Sequence, residues 1–157
     1  MHERAHHAQG MRGRPRIVAA MTVMVLWSAC TVRLIAEYDP ILDSSVSALS
    51  SKVNSFLARM ETTAGTPAGE YAPNAGFYAE VLGELKTLQL RTEQQEKAKL
   101  IEESLVLLSR NIENLRSLHQ AGGAAGLSVP VLGPARSALE TQFRALFAIE
   151  NALRRGK

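Results

Sequence analysis

Apolar residues recur along this chain in steps of three and four, the spacing that lines one face of an α-helix. The first clear run follows Asp39-Pro40, where an aspartate cap precedes a proline whose fixed φ suits the first helical turn. Leu42, Val46, Leu49, Val53, Phe56 and Met60 then repeat at four, three, four, three and four, with Ser, Lys and Asn between them. Thr63 to Pro73 carries two glycines and two prolines and reads as a loop. Asn74 is placed to cap the next helix, and from 74 to 119 the pattern allows one helix of about 45 residues or two helices. Phe77, Val81, Leu85 and Leu88 form one stripe, and Ile101, Leu105, Leu108, Ile112 and Leu115 form another out of register with it. The polar stretch Arg91 to Lys99 between them predicts a break near Thr92, where Thr92 and Gln95 have capping-box spacing. Gln120 to Gly133 is rich in Gly and Ala and reads as a second loop. The last helix is expected from Pro134, with Leu139, Phe143, Leu146, Ile149 and Leu153 inward and Arg154, Arg155 and Lys157 at the negative end of its dipole. No segment alternates with period two. The expected fold is all-α, a three- or four-helix antiparallel bundle over residues 39–157.

Ahead of the bundle the pattern changes. Residues 1–16 are polar and basic, Ile17 to Trp27 is apolar, and Ser28-Ala29-Cys30 follows. A basic start, an apolar centre and small residues at the exit are the three parts of an export signal. Read from Met11 instead of Met1, the segment is more compact, with Arg12, Arg14 and Arg16 holding its start on the cytoplasmic side. Ser28-Ala29-Cys30 resembles the lipobox of bacterial lipoproteins, with Trp27 where that family usually carries Leu. The resemblance implies a signal peptide over 1–29, cleavage between Ala29 and Cys30, and acyl chains such as palmitate on Cys30. It implies an outer-membrane lipoprotein facing the periplasm, because Thr31 stands where inner-membrane-retained relatives carry Asp; the periplasmic face of the inner membrane is the alternative. An uncleaved anchor, an ordinary cleaved signal and a buried helix of a soluble domain are the competing readings. Ile17 to Val32 makes only about 24 Å of helix against a hydrocarbon core of about 30 Å. Residues 30–38 then form the lipidated cysteine and a tether, its eight residues after Cys30 spanning at most about 28 Å.

Charge sharpens this division. Four of the 18 basic residues and one of the 15 acidic residues precede Cys30, so the net +3 belongs to the signal and the remainder is balanced. A neutral domain lacks the footprint that drives phosphate-backbone binding, and nucleic acid is not an expected partner. The single cysteine excludes an intrachain disulfide and a thiolate metal cage. His119 is the one histidine after the signal, with Ser117 and Glu113 nearby. Their helical spacing does not line up Ser, His and acid, and His119 reads as a solvated residue at a helix C-terminus. Glu93, Glu96, Glu102 and Glu103 lack the Glu-x-x-His partners of a bundle metal site and read as a solvated face paired with Lys97 and Lys99. Gly122-Gly123-Ala124-Ala125-Gly126 lacks the spacing of a phosphate loop and reads as a flexible connection. Phe56, Phe77, Tyr78, Phe143 and Phe147 are expected in the core, or lining an apolar pocket between helices.

The far end adds a second resemblance. A lipidated cysteine at one end and a terminal Lys157 at the other resemble the murein lipoprotein, whose last lysine is linked to peptidoglycan; here Arg154-Arg155-Gly156 precedes the lysine. The resemblance covers only the two ends and implies Lys157 as an attachment point. The functional expectation is a membrane-anchored envelope lipoprotein, non-enzymatic and without cofactor or metal, acting as a structural module or on an envelope protein partner. The alternatives are a carrier of a lipid-like ligand and a peptidoglycan-linked lipoprotein.

Overall fold

The computed structural model describes residues 37–95 and 98–156. They form four helices: α1 (Pro40–Thr63), α2 (Tyr71–Glu93), α3 (Lys99–Ala121) and α4 (Val129–Arg155). Each helix packs antiparallel to the next, and α4 returns beside α1. The registers follow from cross-helix pairs: Lys52 with Glu80 and Glu84 joins α1 to α2, Gln89 with Ser109 joins α2 to α3, and Arg136 with Glu61 joins α4 to α1. The result is a four-helix bundle with hairpin connections, the larger of the two expected helix counts. Among the described residues no helix is long and apolar enough to cross a membrane.

α1 begins where Asp39-Pro40 places it. The Asp39 carboxylate accepts from the amides of Ile41 and Leu42, satisfying donors that the first turn leaves open. All six residues of its periodic stripe are buried, and Leu57 joins them. On α3 all five stripe residues are buried as well. The other two helices turn slightly against expectation. On α2 the fully buried ring is Tyr78, while Phe77 is half-buried and stacks flat on Phe56 at 3.7 Å. On α4 the buried position is Glu150, with Ile149 half-buried.

Three helix boundaries differ from the sequence expectation. α2 starts at Tyr71, and buried Asn74 caps no helix: its amide donates to the Ala68 and Glu70 carbonyls while its oxygen accepts from Arg59. The break after Thr92 is present, since α2 ends at Glu93 and α3 starts at Lys99, but the capping box is not formed. Thr92 donates to the Gln89 carbonyl, Gln95 reaches Asp39, and α3 starts behind Ala98 without a side-chain cap. α4 starts at Val129, five residues before Pro134. Pro130 lies in the first turn, where no amide bond is lost, and Pro134 removes only a bond to the exposed carbonyl end of that turn.

The two hairpin loops meet at the end of the bundle remote from Asp39. Gly122 to Gly126, expected as a flexible connection, is instead a packed corner: the Gly65 amide donates to the Ala125 carbonyl at 3.2 Å. Gly126 sits at φ +63°, and a Cβ there would lie 2.0 Å from the Gly69 carbonyl oxygen. A Cβ on Gly69 would in turn meet the Thr63 carbonyl oxygen at 2.2 Å. Two backbones approach here as only glycine permits. Gly126→Ala combines a strained φ with a clash against backbone, so it should destabilise the fold by roughly 2–4 kcal/mol. Gly76→Ala, with open space around its Cβ, should not; equal urea midpoints for the two variants would contradict the corner.

Candidate functional site

Cys30, Ala29 and Lys157 lie outside the described residues, and so do Glu96 and Lys97. The chain enters the bundle at Tyr38, which is fastened down at once. The Tyr38 hydroxyl donates to Asp43 at 2.8 Å, and the Arg154 guanidinium pairs with Asp43 while lying over the Tyr38 ring at 5.2 Å. Asp39 pairs with Arg91 at 2.5 Å. The start of α1 is thereby joined to the ends of α2 and α4, at the end of the bundle that leads toward Cys30.

Inside this clasp lies the one buried carboxylate among the described residues. Glu150 is 1% exposed, and neither of its oxygens has a hydrogen-bond partner. Burial raises its pKa to about 7; nearby Asp43 and Asp39 push the same way, and Arg154 opposes them. The group is held as a neutral acid at mildly acidic pH, which is how an apolar site tolerates it. Asp39 moves in the opposite direction, its pKa lowered chiefly by the hydrogen bond from Arg91.

His119 is not solvated, contrary to expectation. It is 0% exposed, against Phe56, Tyr71 and Tyr78. A carbonyl can only accept, so Nε2 donates to the Gly69 oxygen at 2.8 Å, and Nδ1 is hydrogen-bonded to the Tyr78 hydroxyl at 2.9 Å. Burial raises the Tyr78 pKa and keeps that phenol a donor. Ser117 and Glu113 are exposed on another side of α3, and the Ser117 hydroxyl is bonded to the Glu113 carbonyl. The histidine ties two loops together and has no open side for a substrate.

The remaining candidates sort by geometry. Among the described residues no cluster of His, Cys, Asp and Glu is arranged to hold a metal ion. Glu93 and Glu103 stand on the surface 3.9 Å from Lys86 and Lys99. The aromatic side chains pack on one another, Phe56 edge-on to Tyr78 at 5.4 Å and Phe143 beside Phe147 at 6.4 Å. The open concavity lies elsewhere, between α3 and α4. It has a volume of about 350 Å³ and is lined by residues that include Asn111, Asn114, Leu118, Pro130, Pro134 and Ala138. No charged side chain lines it. Sequence reading missed this cleft because only Leu115 and Leu139 of its lining belong to the periodic stripes, and its other residues lie on the flanks of the two helices.

No known protein family, characterised protein or solved structure matches the chain.

The acid at position 150 has a signature in stability. Between about pH 4.5 and 7 the native state keeps a proton that the unfolded chain has released, so stability falls as pH rises through that window. Asp39 gives the opposite limb, losing its contribution as pH falls through its lowered pKa. Glu150→Gln should leave stability unchanged at pH 4 and raise it at pH 8 by about 3 kcal/mol, at about 1.4 kcal/mol per pKa unit. Urea denaturation of both proteins at the two pH values measures this. Parallel pH profiles would show that Glu150 is already ionised in the native state.

Proposed function

We propose that this chain is a lipid-anchored envelope protein whose four-helix bundle is a non-enzymatic interaction module held close to a membrane. The anchor rests on the sequence: arginines at 12, 14 and 16, the apolar run Ile17 to Trp27, and Ser28-Ala29-Cys30. In this reading the signal ends at Ala29, Cys30 carries the acyl chains, and the protein faces the periplasm from the outer membrane. Two or more chains, at about 0.8 kcal/mol per buried methylene, hold a protein to a bilayer where one is marginal.

The observation that carries the module role is the uncharged cleft between α3 and α4. Concave apolar surface with a few amides at its edge suits a protein partner, whereas reaction chemistry calls for convergent titratable groups. The two buried titratable groups that stand out, His119 and Glu150, are enclosed at opposite ends of the bundle rather than presented in that cleft.

The test of the anchor is Cys30→Ser with membrane fractionation and intact mass. The unmutated protein should sediment with outer-membrane fractions, lack residues 1–29 and carry added acyl mass. Cys30→Ser should lose that mass. An unmutated protein that keeps its first 29 residues, or carries no acyl mass, contradicts the proposal.

A further inference from the structure

The buried seam of α4 runs through Leu139, Phe143, Leu146, Glu150 and Leu153, in steps of four, three, four and three. An acid stands at one position of a seam that is otherwise apolar. Both of its oxygens lack a donor, and a buried carboxylate in that condition is tolerated only with its proton on. A cation nonetheless lies one turn away. Arg154 follows Glu150 at i,i+4, the spacing and order in which a glutamate and a cation meet on a helix. In the structure its guanidinium is turned to α1 instead: it pairs with Asp43 and lies over the Tyr38 ring, whose hydroxyl donates to the same Asp43.

The other charges at this end do not serve Glu150. From α1, Asp43 and Asp39 both oppose its ionisation. From α2, Arg91 is held by Asp39, and Lys86 and Glu93 are exposed beside each other. α3 buries Ala98, Ile101 and Leu105 here; Lys99 and Glu103 are paired in solvent, and Glu102 is half-buried. Glu37 and Arg155 are exposed. Among the described residues the cation that acts on Glu150 is Arg154. The clasp is balanced while Glu150 is neutral, with Asp39 and Asp43 against Arg91 and Arg154. Loss of the Glu150 proton leaves three carboxylates to share two guanidinium groups.

We propose that Arg154 is a latch shared by two carboxylates: it holds Asp43 and Tyr38 while Glu150 keeps its proton, and turns to Glu150 when that proton leaves. The proton goes to solvent, and Glu150 gains the guanidinium that Asp43 gives up. Arg154 is free to turn, with 54% of its side chain in solvent. The Tyr38 ring then loses the cation above it, and its contact with α4 through Arg154 goes too. The point where the chain enters the bundle is therefore fastened at mildly acidic pH and loosened as pH rises past neutrality. Burial sets the direction, because it raises the Glu150 pKa to about 7 and so keeps the proton on below that pH.

The latch rests on neither the lipid anchor nor the interaction surface. Its test is an NMR titration of full-length Cys30→Ser protein in a mild detergent between about pH 5 and 9, which brackets a midpoint of about 7. The Glu150 carboxyl carbon should titrate with that midpoint. The Tyr38 ring and Arg154 guanidinium signals should shift with it, and the backbone order of Tyr38 and Asp39 should fall above it. Glu150→Gln cannot ionise and keeps every histidine of the chain, so in that variant the same signals should stay flat. Arg154→Gln removes the receiving cation and should raise the Glu150 midpoint. Titration of Glu150 with Arg154 unmoved and the order of Tyr38 unchanged overturns the proposal, and this result needs no variant. A Tyr38 shift that persists in Glu150→Gln belongs to another group and overturns it as well. So does a Glu150 midpoint in the ordinary carboxylate range, or one that Arg154→Gln leaves where it was.

Discussion

The bundle depends on the contact between its two hairpin loops. The α1–α2 loop and the α3–α4 loop touch through backbone, with the Gly126 Cα against the Gly69 carbonyl and the Gly65 amide on the Ala125 carbonyl. His119 completes the joint by donating to that same Gly69 oxygen from the last turn of α3. Antiparallel helices with similar apolar stripes can slide or swap neighbours with little change in burial, and short polar joints are what remove that freedom. Here the joint joins backbone to backbone and to a buried, hydrogen-bonded His119, and so fixes the pairing of hairpins.

The opposite end is built differently. Asp39, Asp43, Arg91 and Arg154 form ion pairs around the start of α1, and Glu150 sits behind them without a partner. Exposed pairs of this kind are worth little individually. Their role is positional: they hold Tyr38, the point where the chain leaves the bundle toward Cys30, against α4. Between the two ends, the cleft of α3 and α4 is lined by no charged side chain.

Much of this fold is legible in the sequence because burial imposes a period. The α1 stripe, the α3 stripe and the Asp39-Pro40 start all lie where spacing and capping place them. The polar stretch after Thr92 does separate two helices, although Thr92 and Gln95 turn to other partners. Reading fails where one residue type serves two environments. Tyr78 and Phe77 differ by 100° of helix; hydropathy favours burying Phe77, yet Tyr78 is the buried ring and its hydroxyl meets His119. Glu150 draws no expectation from the sequence, since nothing local says that it will be buried. His119 reads as a dipole-facing surface residue because Gly69, 50 positions earlier, is invisible to local pattern. The glycine loop reads as flexible for the same reason. The α3–α4 cleft is illegible because Leu118 and its neighbours in the lining come together only when α4 lies beside α3.

The central claim is that the two hairpins are locked by their loops, and hydrogen exchange at the Gly65 amide tests it most directly. This amide belongs to a loop, yet it donates to Ala125 across the joint. If the joint holds the bundle together, Gly65 exchanges only when the whole domain unfolds, at the rate of core amides such as Leu105 and with the same dependence on denaturant. If Gly65 exchanges within seconds while the helix amides stay protected, the hairpins are held by their apolar faces alone and the account is wrong.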